Sequence, residues 1–402
     1  MSTYRIIDQL VDGEEPRLSD LLAGVYAAKT RPLCLCREPG IAMYIAKITG
    51  QFILKRMPNS GGEHAPACDS YEPPAELSGL GQVLGSAIQE SPDEGLTSLK
   101  LDFSLSKVAG RASPVSSDSE AHSAGTDGNK LSLRAMLHYL WEEAGFNRWA
   151  PAMSGKRTWY VMRKYLLQAA EGKATKGSRL PDVLYIPESF HADKKEEITQ
   201  RRMAHLMKVA APGNGVRRLM LVIGEVKEIA QSRYGYKIIF KHLPDCHFLM
   251  NVDLHKRLRK RFETELGLWD ALADTHLVAV ATFAVGDTGI VSLEEVALMI
   301  ANDNWIPFES TFDKMLLDAM TRAGRRFIKG MRYNLPSTRP LACLVASDTW
   351  PEPTAMYILP PAASDEYAKA LGDLMDESKL SRWLWKTGAA EMPPLPAVAA
   401  RT

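Results

Sequence analysis

Neither sign of charge dominates this sequence: 49 Lys and Arg stand against 48 Asp and Glu, a formal net charge of +1 over 402 residues. That balance excludes a global field for DNA, RNA or an anionic membrane surface, so any nucleic-acid surface must be a local patch. The chain also lacks the roughly 18 consecutive apolar residues that a membrane span requires. Its first residues, MSTYRIIDQLVDGEEPRLSD, carry acids where a signal peptide has basic and then apolar residues. A cytoplasmic location with no membrane partner is the resulting expectation. Cysteine is scarce, and five of them in a long chain do not make a secreted disulfide framework. Apolar residues are abundant. A hydrophobic content of 46% can bury a substantial core, and at about 100 to 200 residues per domain the length implies two to four domains.

Three of the cysteines crowd between Cys34 and Cys68, which suits metal ligation. Cys34-Leu35-Cys36 precedes two β-like runs, MYIAKI at 43–48 and FILKRM at 52–57, and the turn chemistry of Thr49-Gly50-Gln51 predicts a hairpin between them. His64 and Cys68 follow it. Closing the hairpin brings the two halves together. Three thiolates and one imidazole are then the donor set of a closed, tetrahedral, structural zinc site at Cys34, Cys36, His64 and Cys68. Cys246 and Cys343 stand alone and read as core thiols. Lys47, Lys55 and Arg56 on the hairpin read as a solvated face.

The fold expectation is an α+β multidomain chain. It begins with an N-terminal segment (1–30), a zinc-bound β-hairpin module (31–75) and a mixed α/β extension (76–110) with a helix at 81–89 and a strand at 98–104. The Ser/Gly-rich stretch 111–130 reads as a flexible linker. In the helical middle segment (131–178), Leu133, Met136, Leu137, Leu140 and Trp141 fall on one helical face, and a second helix over 158–170 makes a helix-turn-helix-like pair. Strand runs LYIP, LMLVIGEV, YKIIFKHL and HLVAVATFAV alternate with a charged helix at 192–208 and a basic helix at 252–269, which predicts a mixed α/β sheet domain (179–300). An α/β domain (301–385) follows, with a helix at 309–323, strands at 326–333, 341–347 and 354–359, and a helix from 364. The Pro/Ala-rich tail (386–402) reads as disordered.

Charged residues cluster in two further places. DLHKRLRKRFETEL holds Arg257 and Lys260 among its cations, a candidate phosphate-contacting helix. Glu225-Val226-Lys227 ends a strand, where a period of two puts both side chains on one face, the Glu-x-Lys half of a metal-dependent nuclease site. The candidate acidic partner that would complete such a site is Asp182 in Leu180-Pro181-Asp182, more than 40 residues upstream. His242, Asp245, Cys246, His247 and His255 lie close together as a candidate second metal site, without a familiar ligand spacing.

With these residues in view, the sequence resembles a family of bacterial proteins of unknown function carried on plasmids and integrative conjugative elements. The resemblance spans nearly the whole chain and rests on CLCREPGIAMYIAKITG, KRMPNSGGEHAPACDSYEPPAELSGLGQVLGSAI, LHYLWEEAGFNRW with GKRTW, VSLEEVALM with NWIPFES, and GRRFIKGMRYNLP. The C-terminal third more faintly resembles a restriction-endonuclease-like domain of the PD-(D/E)xK kind. Glu309 opens its helix, and Arg325, Arg326, Phe327, Lys329, Arg332 and Tyr333 follow in register. The resemblance implies metal-binding acids where Ala342 and Tyr357 stand, so the domain reads as degenerate, with Asp348 and Glu352 as the acids that would have to replace them. Arg325, Arg326, Lys329 and Arg332 then become nucleic-acid candidates beside Arg257 and Lys260.

The first functional expectation is a non-catalytic, nucleic-acid-binding accessory protein of a bacterial mobile genetic element. Its partners would be DNA or RNA and proteins of the mobile-element apparatus. The second is a metal-dependent nuclease using Asp182, Glu225 and Lys227. The third is a protein-interaction or regulatory factor.

Overall fold

The two most apolar runs of the chain, beginning at Met220 and His276, become adjacent walls of a closed barrel. The computed structural model describes residues 3–48, 50–108, 128–207, 209, 216–286, 288–388 and 390–399. The barrel strands are Met220–Ser232, Gly235–Phe240, Leu243–Met250, His276–Val285 and Val291–Ala301. Counted in chain order, neighbours run first, second, third, fifth, fourth, and the fourth returns to the first. Closure depends on the length of the first strand. Residues from Met220 to Glu225 pair with the fourth strand, and those from Val226 to Ser232 pair with the second. A register break between Val226 and Glu228 lets the strand bend. So does Gly224, where a Cβ would lie 2.5 Å from the Phe240 ring. The third and fifth strands pair in parallel through Phe248↔Val291.

Phe248 packs edge-on against both Phe240 and Phe283, with centroids 5.1 and 5.2 Å apart. Helices Val252–Arg261 and Glu263–Ala271 connect the third strand to the fourth. The Asn251 side chain caps the first of them at 2.7 Å, and Leu254, Leu258, Phe262 and Leu266 at a spacing of four form the buried stripe.

Helix Leu133–Glu143 packs against the fourth and fifth barrel strands and against helix Trp159–Ala170. Eight of its residues are buried, from Leu133 to Trp141, so its amphipathic spacing becomes an almost wholly internal helix. The helix-turn-helix-like expectation is corrected on this point. The two helices are separated by residues 144–158, which include strand Arg148–Trp149, whereas a helix-turn-helix has a turn of about 3 to 4 residues.

Arg148–Trp149 is the edge of a second sheet, in the order Ser381–Lys386, Thr354–Leu359, Leu344–Ala346, Phe327–Lys329, Arg148–Trp149. The three expected C-terminal strands are present, the first two within shorter bounds and the third at 354–359 as expected, flanked by helices Thr311–Arg322 and Asp365–Glu377. Ser381–Lys386, parallel to Thr354–Leu359, lies where no strand was expected.

At the other end of the chain, residues 3–12 supply two strands to the sheet that contains the hairpin, in the order Gln9–Asp12, Thr3–Ile6, Leu33–Cys34, Ile41–Ile48, Gln51–Arg56. The expected helix at 81–89 is only Leu80–Val83, because Gly85 (φ 78°) turns the chain into strand Ile88–Ser91. Strand Leu96–Leu99 pairs with Ile88–Ser91 and stands earlier than the expected 98–104. Most of the expected linker, residues 111–127, lies outside the described residues.

The architecture is mixed α+β. One cluster of buried residues runs from Val83 through the barrel to Trp385, across the segment boundaries read from the sequence. Part of the tail belongs to it: Met392 and Leu395 pack on this core, Val398 bridges to Thr349, and the Pro394 carbonyl accepts from Trp383 Nε1 at 2.9 Å. The described part of the tail is therefore docked, which corrects the expectation of disorder there. Among the described residues no helix is long and apolar enough to cross a membrane.

Candidate functional site

Cys34 ends a short strand, Cys36 lies in the turn that follows it, and a helical turn at Gly61–Glu63 delivers His64 and then Cys68 from beyond the hairpin. The four side chains converge. Cys34 Sγ lies 3.7 Å from Cys68 Sγ, and His64 Nδ1 lies 3.4 Å from Cys36 Sγ and 3.7 Å from Cys68 Sγ. All four ligand atoms fall within 4.8 Å of one another. A tetrahedral ion with bonds of about 2.3 Å to sulfur and about 2.0 Å to nitrogen sets S···S near 3.8 Å and S···N near 3.5 Å, so the donor set fits a metal ion. Backbone N–H groups of Ala65 and Ser70 point at Cys36 and Cys68, each at 3.4 Å. Burial pushes the Cys34 thiol up to about 12, raises Cys68 and lowers His64. A cation at the centre would reverse this preference for uncharged ligands, because it binds thiolates.

The same loop anchors the N-terminal sheet to the rest of the protein. The Tyr71 carbonyl accepts from Arg148 at 2.6 Å, and Glu72 pairs with Arg56 and, at 3.8 Å, with Arg148. Lys55 pairs with Glu143 at 3.4 Å. Lys55 and Arg56 are thus committed to internal ion pairs rather than to a solvated face.

The Glu-x-Lys pair is not assembled. The register break after Val226 leaves Glu225 4% exposed and Lys227 exposed, so the two no longer share a face. Asp182 is exposed, and the parallel pairing of Leu184 with Leu221 sets it beyond one end of the strand while Glu225 stands toward the other. Glu225 finds other partners: Lys241 Nζ at 2.5 Å, His276 Nδ1 at 2.6 Å and, more distantly, His242 Nε2 at 3.9 Å. Burial pushes the Glu225 carboxyl up, but the hydrogen bonds from His276 and Lys241 outweigh it and hold the group below the ordinary carboxylate range. The His276 ring stacks on Trp305 (3.7 Å, 12°), the His242 ring on Trp159 (5.2 Å, 12°), and the two indoles meet at 5.8 Å. Trp305 sits at a φ of 59°, held by Asn302, whose Oδ1 accepts from the N–H groups of Asn304 and Ile306.

The cations of segment 325–332 are mostly internal. Arg325 forks onto Asp348 and donates to the Pro396 carbonyl at 2.6 Å. Lys329 pairs with Asp313 at 3.3 Å, and Arg332 pairs with Glu309 at 2.7 Å and donates to the Pro336 and Arg339 carbonyls. Arg326 is exposed, but the other three are less than a tenth exposed, which corrects their reading as a phosphate-gripping surface. Asp348 is likewise occupied as a structural partner of Arg325. Ala342 and Tyr357 lie in an apolar cluster with Leu77, Val345, Ala355 and Leu371. Cys343 is a core thiol that donates to Asp313 Oδ1 at 2.8 Å, while Cys246 is half-buried.

The clustered histidines do not make a second metal site. His242 faces Glu225, His255 stacks under Tyr236 at 3.4 Å, His247 is exposed and Asp245 is bound by Arg202. On the basic helix, Arg257 and Lys260 are exposed. Sequence reading missed Lys241, His276, Trp159 and Trp305, whose separation along the chain hides their convergence. The turn-forming Asn302-Asp303-Asn304 was the one local signal near them.

No curated protein and no solved structure matches this chain. A family model described as Protein of unknown function (DUF1173) matches residues 4–388, and the chain belongs to that family.

Proposed function

We propose that this chain is a nucleic-acid-binding accessory protein of a bacterial mobile genetic element, and that its barrel is the binding surface for a single strand. The observation that carries the reading is the barrel's connectivity. A five-stranded Greek-key barrel is the architecture of the OB-fold, whose second and third strands and adjacent loops bind oligonucleotides and oligosaccharides. In this barrel the Tyr236↔Met250 and Phe248↔Val291 pairings bring the turn after the first strand and the turn before the fifth to the same end of the third strand. Tyr234 in the first turn is 82% exposed with Arg233 over its ring, and the Tyr236–His255 stack lies beside it. Arg257, Arg259 and Lys260, all exposed, extend the patch along the following helix. Aromatic faces for bases beside cations for phosphates are the elements of single-strand binding, and they need no net positive charge on the whole chain.

The mobile-element setting comes from the family resemblance. Helix, three-strand meander, helix and parallel fourth strand support the nuclease-like reading of the C-terminal part, and the apolar surroundings of Ala342 and Tyr357 support its lack of a metal-dependent centre. In this reading the metal at Cys34, Cys36, His64 and Cys68 is a structural zinc, because four protein ligands leave no open position. Fluorescence anisotropy with labelled single-stranded and duplex oligonucleotides over a salt series tests the proposal. The expected result is salt-sensitive binding of the single strand, weakened by Tyr234→Ala. Binding that ignores salt and survives charge reversal at Arg257 and Lys260 would sink it.

A further inference from the structure

The Glu225 cluster has a chemistry that binding alone does not use. Glu225 accepts from His276 Nδ1 at 2.6 Å, which fixes the His276 proton on Nδ1 and leaves the Nε2 lone pair available. The ring is held flat on Trp305, and Trp305 is itself kept in left-handed backbone geometry by the buried Asn302. Lys241, whose side chain is 43% exposed, brings an ammonium to the same carboxylate, and the His276 side chain is 22% exposed. His242 cannot stand in for His276. The Phe190 N–H approaches its Nδ1 at 3.5 Å, which turns its Nε2 toward Glu225. Nor do these groups converge as metal ligands. Among the described residues the Cys34, Cys36, His64 and Cys68 group is the one set whose ligand atoms do so.

We infer that His276 is the catalytic base of a metal-independent RNA-cleaving site, with Glu225 as its positioning residue and Lys241 as the cation at the scissile phosphate. The inference rests on the nucleic-acid-binding reading and adds a reaction to it: the cluster sits at the end of the second strand away from Tyr234, so a strand bound there would run along the barrel to reach it. His276 Nε2 takes the proton of a ribose 2′-hydroxyl, and O2′ forms a bond to phosphorus. The P–O5′ bond breaks with its electron pair on O5′, which takes a proton from the Lys241 ammonium. Solvent carries the proton from His276 back to Lys241. The products are a 2′,3′-cyclic phosphate and a 5′-hydroxyl end, and no metal, oxidant or cofactor enters the balance. DNA, which lacks the 2′-hydroxyl, is not cleaved.

The test uses the full, metal-loaded chain in buffer without added magnesium or manganese. It is offered single-stranded RNA, DNA of the same sequence and 2′-O-methyl RNA. The expected result is cleavage of RNA alone, with cyclic-phosphate ends seen by mass spectrometry. His276→Ala should lower the rate by about 100-fold or more, the usual contribution of a positioned general base. Glu225→Gln should lower kcat while leaving KM for RNA near its original value, and Glu225→Asp should restore part of the rate; a merely structural role would not give that split. Lys241→Ala, at a half-exposed position, is the variant that preserves the fold, and it should lower the rate while 2′-O-methyl RNA is still bound. Intact RNA with normal binding of 2′-O-methyl RNA overturns the inference and leaves the binding reading standing. RNA cleaved as fast by His276→Ala as by the unaltered chain also overturns it. Failure to bind any of the three strands overturns both.

Discussion

The Cys/His cluster and segment 325–332 look alike in the sequence, each a short stretch dense in residues that bind something. In the structure they part company. The four ligand atoms of the first have one another for company, at distances that suit a shared ion. The charges of the second each have a separate internal partner: Asp348 for Arg325, Asp313 for Lys329 and Glu309 for Arg332. Density of chemistry along a chain therefore says little until it is known whether the groups converge on a common point or disperse into pairs. A converging set leaves its ligand capacity open, and a dispersed set has already used it.

The largest effect should come from breaking the converging set. The protein should carry one equivalent of zinc by elemental analysis, and Cys68→Ser should abolish it. Structural zinc supplies on the order of 10 kcal/mol in small metal-dependent folds, so chelation should unfold the N-terminal sheet, seen as loss of amide-exchange protection in residues 33–56. A metal-free preparation with that protection intact would remove the contrast between the two regions.

Breaking the dispersed set should cost less and act on stability alone. Lys329→Ala leaves Asp313 buried without its charge partner, a loss of about 3 to 5 kcal/mol, whereas Arg326→Ala at an exposed position should stay within about 0.5 kcal/mol. Urea denaturation of the two variants reads the difference. Equal, small effects would mean that the segment is not part of the interior.

The third prediction sharpens where nucleic acid goes. Tyr234→Ala should weaken single-strand binding by about 1 to 3 kcal/mol, the worth of one stacked base, and charge reversal at Arg257 and Lys260 should flatten the salt dependence. Charge reversal at Arg326 should do less than reversal on the basic helix, because its neighbours Arg325 and Lys329 are internal. The opposite ranking would move the binding surface to the C-terminal sheet.

A further effect concerns pH. Burial pushes the Glu142 carboxyl, which accepts from the Tyr333 hydroxyl at 2.7 Å, up to about 7 from an ordinary 4.5. Between those values the folded chain holds more protons than the unfolded one, so this group makes stability fall as pH rises through that window. Glu142→Gln carries no charge at any pH and should flatten that slope in urea unfolding measured across the window. An unchanged slope would locate the pH dependence elsewhere.

Several of these features are legible in the sequence. The hairpin could be read because period-two alternation and a Gly50 turn are local signals, and the metal ligands because they flank that hairpin in a short span. The helix at 133–143 was legible from its periodicity, but its burial was not: a stripe of apolar residues indicates one covered face, and what covers the remaining faces comes from the barrel and from Trp305. The Glu-x-Lys reading failed at a single residue. A break in register turned Lys227 away, and Lys241 took its place through the pairing with the next strand. The tail read as disordered because proline and alanine offer no periodicity, yet the Pro394 and Pro396 carbonyls serve as acceptors for Trp383 and Arg325.

The sequence by itself determined what depends on neighbours a few residues apart: the strands and helices of strong period, the cap at Asn251, and a metal-ligand set brought together by one hairpin. Tertiary structure alone decided the closure of the barrel, the destination of Glu225, and which cations meet solvent. Each of those depends on pairing between segments far apart in the chain, where register and burial, rather than composition, set the neighbours of every side chain.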